Sequence, residues 1–211
     1  MKTLAQFFDH LPLLPMRWEI QRNDELSGIG SGVVFQAELA TPLWSAAIAL
    51  QPVRLPEANE ISALVNGLAG AQEPFLFRDP YICGPKLDPQ GAGLGGVAVT
   101  VSAANGRSLS LEGMPAGYRL SIGDKIQIIA SGGTHAFVEV SENVVATAGG
   151  TTGSFQVFPR LPVSVSAGAS CSFARPACPC IILPGSFQSG TPSGNIVTGI
   201  AFRIVQKRGV Q

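Results

Sequence analysis

Residues 43–80 constrain this chain most, because they hold its one well-formed amphipathic helix, set between two strands, while nearly everything else alternates as β. Leu43, Trp44, Ala46, Ala47, Ile48 and Leu50 form an apolar strand that runs into Pro52. Pro56 then occupies a first-turn position where its missing N–H does no harm, and Glu57 and Glu60 lie near the positive end of the helix dipole. Ile61, Leu64, Val65 and Leu68 repeat at i, i+3, i+4 and i+7, an apolar stripe expected to pack as core. Gly70 supplies a stop, which predicts a helix over about residues 56–69. Pro74, Phe75, Leu76 and Phe77 follow as a short aromatic strand that Pro80 closes. No polar constellation surrounds this unit, which points to assembly rather than catalysis.

With 211 residues the chain can hold one large or two small domains. Fourteen Lys plus Arg balance fourteen Asp plus Glu, so no basic field exists to wrap nucleic acid or to steer the chain to an anionic membrane. Only 13% of residues are charged, and the mean hydropathy is +0.28, so the chain is expected to bury surface against partners. A monomer with a weakly polar Gly- and Ala-rich surface is the other reading. No run of about twenty apolar residues is present, so no membrane insertion is expected. Gln6, Asp9 and His10 interrupt the apolar start, which therefore does not read as a signal peptide. Folding in the cytoplasm is expected, with Cys83, Cys171, Cys178 and Cys180 reduced.

Period-two patterns predict strands at residues 16–22 and 33–39, joined by a Gly-Ser turn at 28–32, and with 43–50 they make a meander or hairpin series. The Gly- and Pro-rich residues 84–96 have the composition of a hinge or long loop, and mark a domain boundary. Beyond it, short strands are expected at 97–101, 108–112, 125–129, 135–140 and 153–158, a set that suits a small barrel or sandwich. Residues 159–162 read as a return linker. Strands at 178–183 and 200–206, separated by a loose loop at 184–194, are too few to fold alone and must complete the first sheet. The fold class is therefore mainly β (α+β): a discontinuous β-sandwich domain with one helix, residues 1–92 and 160–211, and an inserted small OB-like barrel, residues 93–159.

Few motifs carry chemistry. Gly91, Gly93 and Gly96 have dinucleotide-turn spacing, but that turn needs a strand before it and a helix after it, and here Pro89 precedes and a β run follows. Cys171, Cys178 and Cys180 lack the paired spacing of a zinc knuckle, so they read as small buried apolar residues. A metal or iron–sulfur site built from Cys83, Cys171, Cys178 and Cys180 is the alternative, as is a disulfide formed after release from the cell. His10 and His135 have no nucleophile in a recognisable elbow. Asp124 and Glu139 could meet across a sheet as paired carboxylates, although Asp124 reads better as part of the turn Ile122-Gly123-Asp124-Lys125. No catalytic, cofactor or metal site is expected, and no enzyme activity.

The order of these pieces resembles the distal tail proteins of long-tailed bacteriophages, in the two-domain form. Residues 43–50, the helix, and residues 74–80 look like the strand, helix and aromatic strand of that family's ring domain. Leu111, Glu112, Gly113, Met114 and Pro115, with Gly123-Asp124-Lys125 and the strand after them, resemble the entry of its inserted barrel. Phe158-Pro159-Arg160-Leu161 resembles the exit, so the likeness covers nearly the whole chain. It implies a virion structural protein assembled in the host cytoplasm, a homohexameric ring joining tail tube protein to tail hub protein in the baseplate, without catalysis or cofactor. The cysteine-rich residues 171–180 depart from the family pattern and leave the metal question open. A carbohydrate-binding module of a host-recognition apparatus, using Phe137, Phe155, Phe158 and Tyr118 of the barrel, is the alternative function.

Overall fold

Two hydrophobic cores divide the chain, one under an open sheet and one inside a barrel. The structure is a computed structural model and describes residues 1–28, 32–130 and 132–209. Strands β1 (Glu19–Gly28) and β2 (Val34–Ala49) form a long antiparallel hairpin. Of the Gly-Ser turn expected at residues 28–32, residues 29–31 lie outside the described residues. β3 (Val53–Arg54) leads into α1 (Leu55–Asn66), and β4 (Phe75–Arg78) follows. Next come β5 (Val99–Asn105), β6 (Ser108–Glu112), β7 (Arg119–Leu120), β8 (Lys125–Ile129), β9 (His135–Val140), β10 (Val144–Val145), β11 (Phe155–Phe158) and β12 (Ser170–Ser172). β13 (Ala177–Ile182), β14 (Gln188–Ser193) and β15 (Ile196–Gln206) end the chain. The fold is mainly β with one α-helix among the described residues, as expected.

The sheet runs β1-β2-β15-β13-β4, with β3 and β14 also on the long strand β15. Both late strands thus pair with strands from the first ninety residues: β15 with β2 (Phe202↔Ile48) and β13 with β4 (Cys178↔Phe77). One face is core, where Trp44, Ile48 and Leu50 meet Phe75, Phe77, Phe202 and Ile204. Helix α1 covers this face with Ala58, Ile61 and Val65, and Leu68 just after it is 1% exposed. The N-terminal segment contributes Phe7, Phe8, Leu11 and Leu13, and is tied down by a Leu14 N–H to Ala49 carbonyl bond of 3.0 Å. On the other face Ala47 and Ala49 are exposed.

Local rules explain several differences from the sequence reading. β2 is one sixteen-residue strand rather than two, although Thr41-Pro42 lies inside it. The β1–β2 register shifts between Gln21 and Asn23 and again between Asn23 and Asp24, so Pro42 sits in an irregular stretch where the ladder needs no N–H from it. Helix α1 stops at Asn66 with Gly67 as its C-cap, short of Gly70; left-handed backbone at Ala69 (φ 48°) and Gly70 (φ 69°) turns the chain afterwards. At its start the Glu57 carboxylate accepts the Arg54 N–H at 3.0 Å. Residues 184–194, expected as a loose loop, contain β14. It pairs back on β15 through a two-residue Gly194-Asn195 turn with Ser193 opposite Ile196, a hairpin signal hidden among Ser, Gly and Pro.

The barrel closes in the order β11-β6-β5-β12-β8-β9. Its sixth strand corrects the boundary expected after residue 159: β12 bridges β5 and β8, with Ser170 opposite both Thr100 and Ile129. Leu161, Val165, Ala169, Cys171 and Phe173 accordingly lie in the barrel core, and the chain rejoins the sheet at β13. A three-residue strand shows no periodicity, yet without it β5 and β8 would each keep an open edge. The Gly-rich residues 84–96 form an ordered loop rather than a bare hinge. Asp88 accepts the N–H groups of Ala92 and Gly93, each at 2.9 Å, and the Tyr118 hydroxyl at 3.1 Å, and Leu94 enters the barrel core.

Candidate functional site

The residues singled out for chemistry scatter. Cys171 is buried in the barrel core, Cys178 and Cys180 are fully buried in the sheet core, and half-buried Cys83 lines a cleft between the two. Among the described residues no group of three or more His, Cys, Asp and Glu is placed to hold a metal ion. Cys178 and Cys180 share a face as period two requires. Burial raises the Cys178 thiol well above its usual value and neighbouring Cys180 adds to the shift, so Cys178 is not poised as a thiolate. In the Gly91 to Gly96 loop, the amides that would face a pyrophosphate are taken by Asp88, and the helical turn within it, Ala92–Leu94, is only three residues of 3-10. His10 lies at the surface, 3.7 Å from Glu60.

Asp124 and Glu139 do reach the same cleft, but each is committed. Asp124, 5% exposed, accepts the Lys86 N–H at 2.8 Å and the Ser121 N–H at 2.7 Å. Glu139 faces Lys125 directly across the β8–β9 ladder and is hydrogen-bonded to its ammonium. Of the barrel aromatics proposed as a glycan platform, Phe137 and Phe155 are each 1% exposed. Phe158 lies beneath Arg22, whose guanidinium is 5.5 Å from the ring centroid, and Tyr118 is bonded to Asp88.

The cleft itself was not legible in the sequence. It has a volume of about 690 Å³ and lies where β1 and β2 of the sheet meet β8 and β9 of the barrel. Trp18 stands edge-on to Trp44 and Phe77 and tilted against Phe137, with ring centroids 6.4, 6.2 and 5.4 Å away. The Trp44 indole N–H donates to the Phe137 carbonyl at 3.1 Å. Lys125 crosses above, with Nζ 4.2 Å from the Trp44 ring centroid. Burial lowers the Lys125 pKa, while Glu139 opposes that shift. Tyr81 and Ile82, 59% and 55% exposed, form part of the rim. The one sequence signal was that the chain's two tryptophans fall on the first and third strands of one expected series, residues 16–50.

A second feature is the hairpin arm, the outer part of β1 and β2. It runs along the barrel, held by the Arg22–Phe158 stack and an Arg107–Glu38 ion pair of 3.6 Å, and it exposes Leu26, Val34, Phe35 and Leu39. No family model matches this chain, and no curated protein does. No helix among the described residues is long and apolar enough to cross a membrane.

Proposed function

We propose that this protein is a ring-forming structural component of a bacteriophage tail tip, a distal-tail-type protein that joins tail tube to hub, in about six copies. The hairpin arm carries the reading. Leu26, Val34, Phe35 and Leu39 are 69%, 63%, 57% and 61% exposed on a two-stranded ribbon, a structure marginal in water by itself and suited to cover by a neighbouring subunit. The barrel strands fall in sequence between β4 and β13 of the sheet, the arrangement expected for an inserted barrel in that family. Low charge fits a chain that buries surface in an assembly. The reading assigns no catalysis and no cofactor, and places the protein in the virion tail. Native mass spectrometry and negative-stain imaging test it: rings of about six copies are expected, and a chain that stays strictly monomeric at high concentration, and in assembled tails, sinks it.

A further inference from the structure

We propose that the cleft between sheet and barrel binds a neutral saccharide through a pair of adjacent hydroxyls. This goes beyond the ring reading and does not rest on it. Lys125 and Glu139 are bonded to each other through Glu139 Oε2, and beside that bond the other ammonium N–H groups and the second carboxylate oxygen set a donor next to an acceptor, on side chains 17% and 31% exposed. Adjacent hydroxyls match such a pair, one donating to the carboxylate while the other accepts from the ammonium. Trp18 and Tyr81 line the same cleft, and aromatic faces take the C–H side of a sugar ring. A volume of about 690 Å³ holds a mono- or disaccharide and lies within the usual range for small-ligand pockets.

The surroundings select a neutral ligand. Arg17, Lys86 and Lys125 are balanced by Asp79, Asp124 and Glu139 in the lining, so neither sign of ligand charge gains a net field. A cation would compete with Lys125 for the Trp44 face, and an anion would meet Glu139. A wholly apolar ligand would strip water from the ion pair and return no hydrogen bond. A polyhydroxyl ligand replaces that water group for group.

Tryptophan fluorescence of the intact chain reads this cleft alone, because both of its tryptophans line it. The probes are maltose, cellobiose, lactose and diacetylchitobiose at millimolar concentration, with glucosamine and sialic acid as charged comparators. A saturable shift with at least one neutral disaccharide is expected, weakened about tenfold in Glu139→Gln. Tyr81→Ala changes only an exposed rim residue, so it keeps the fold and should weaken binding several-fold even if Glu139→Gln proves unstable. No shift with any neutral probe, a shift with the charged sugars alone, or a shift unchanged in the folded variants overturns the proposal.

Discussion

The indole N–H of Trp44 donates to the carbonyl oxygen of Phe137 at 3.1 Å, and this bond joins the sheet to the barrel. Trp44 is 3% exposed and Phe137 is 1% exposed, with their rings edge-on at 5.7 Å. Phe137 belongs to a barrel strand, yet it packs in the sheet's core. Trp44→Phe would leave that carbonyl without its donor and open space beneath Lys125. A loss of about 2–4 kcal/mol is expected in urea unfolding. If the joint is what couples the two cores, the variant should also unfold in two steps where the parent unfolds in one.

Gln127 makes a second joint and gives it a pH dependence. Its Oε1 accepts the Ala177 N–H at 2.9 Å at the start of β13, which leaves its Nε2 to donate to His135 Nδ1 at 3.1 Å. Burial holds His135 below the usual 6.5, so the unfolded chain takes up a proton first and stability falls as pH drops below 6.5 toward the folded value. His135 is half-buried, and solvent screening limits the effect to less than about 1 kcal/mol. His135→Asn keeps an acceptor for Gln127 and should flatten this part of the acid limb in chemical unfolding between about pH 7 and pH 5.

The alkaline limb reports the barrel core. Burial pushes the Cys171 thiol from the usual 9.0 up to about 12. Above pH 9 the unfolded chain loses this proton while the folded chain keeps it, so the folded state binds more protons and stability falls with rising pH. The slope is about 1.4 kcal/mol per pH unit for such a thiol. Cys171→Ala should remove one such slope between about pH 9 and pH 11. The difference between parent and variant is the measurement, because Lys125, lowered from 10.5, contributes with the opposite sign just below its usual pKa.

Phe35 is more than half exposed on the hairpin arm, and Phe35→Ser should leave monomer stability within about 0.5 kcal/mol. If the arm is covered in a ring, the same change should shift the native mass distribution toward monomer. Unaltered ring abundance in the Phe35→Ser, Leu39→Ser double variant would remove the arm from the interface.

Ile61 is 3% exposed beneath α1, and Ile61→Ala should cost about 2–5 kcal/mol in thermal or urea unfolding. The neighbouring exposed position Asn59 offers the contrast: Asn59→Ala should be neutral or slightly stabilising, since alanine favours the helix.

Elements with strong local periodicity were legible. β6, β8 and β9 fall where their alternation placed them, and the apolar stripe of α1 turns inward as its spacing required. What escaped were elements whose own residues carry no alternation and whose identity depends on the strand beside them. β12 is three residues long and exists because β5 and β8 flank it; β14 is built of Gln, Ser, Gly, Thr and Pro and exists because β15 offers an edge. Cys171 could not be assigned to the barrel before β12 was known.

The sequence by itself determined a β-rich chain, the place of its one helix and the need for its last strands to return to the first sheet, because period, proline and glycine act within a few residues. Only the tertiary structure decided where the barrel ends, that Asp124 and Glu139 share a cleft while already hydrogen-bonded, and that Trp18, Trp44 and Lys125 converge there. Those outcomes turn on contacts between residues far apart in the chain. Trp44 and Phe137, 93 residues apart, meet because two sheets close on one another, and no local pattern in either segment encodes the other.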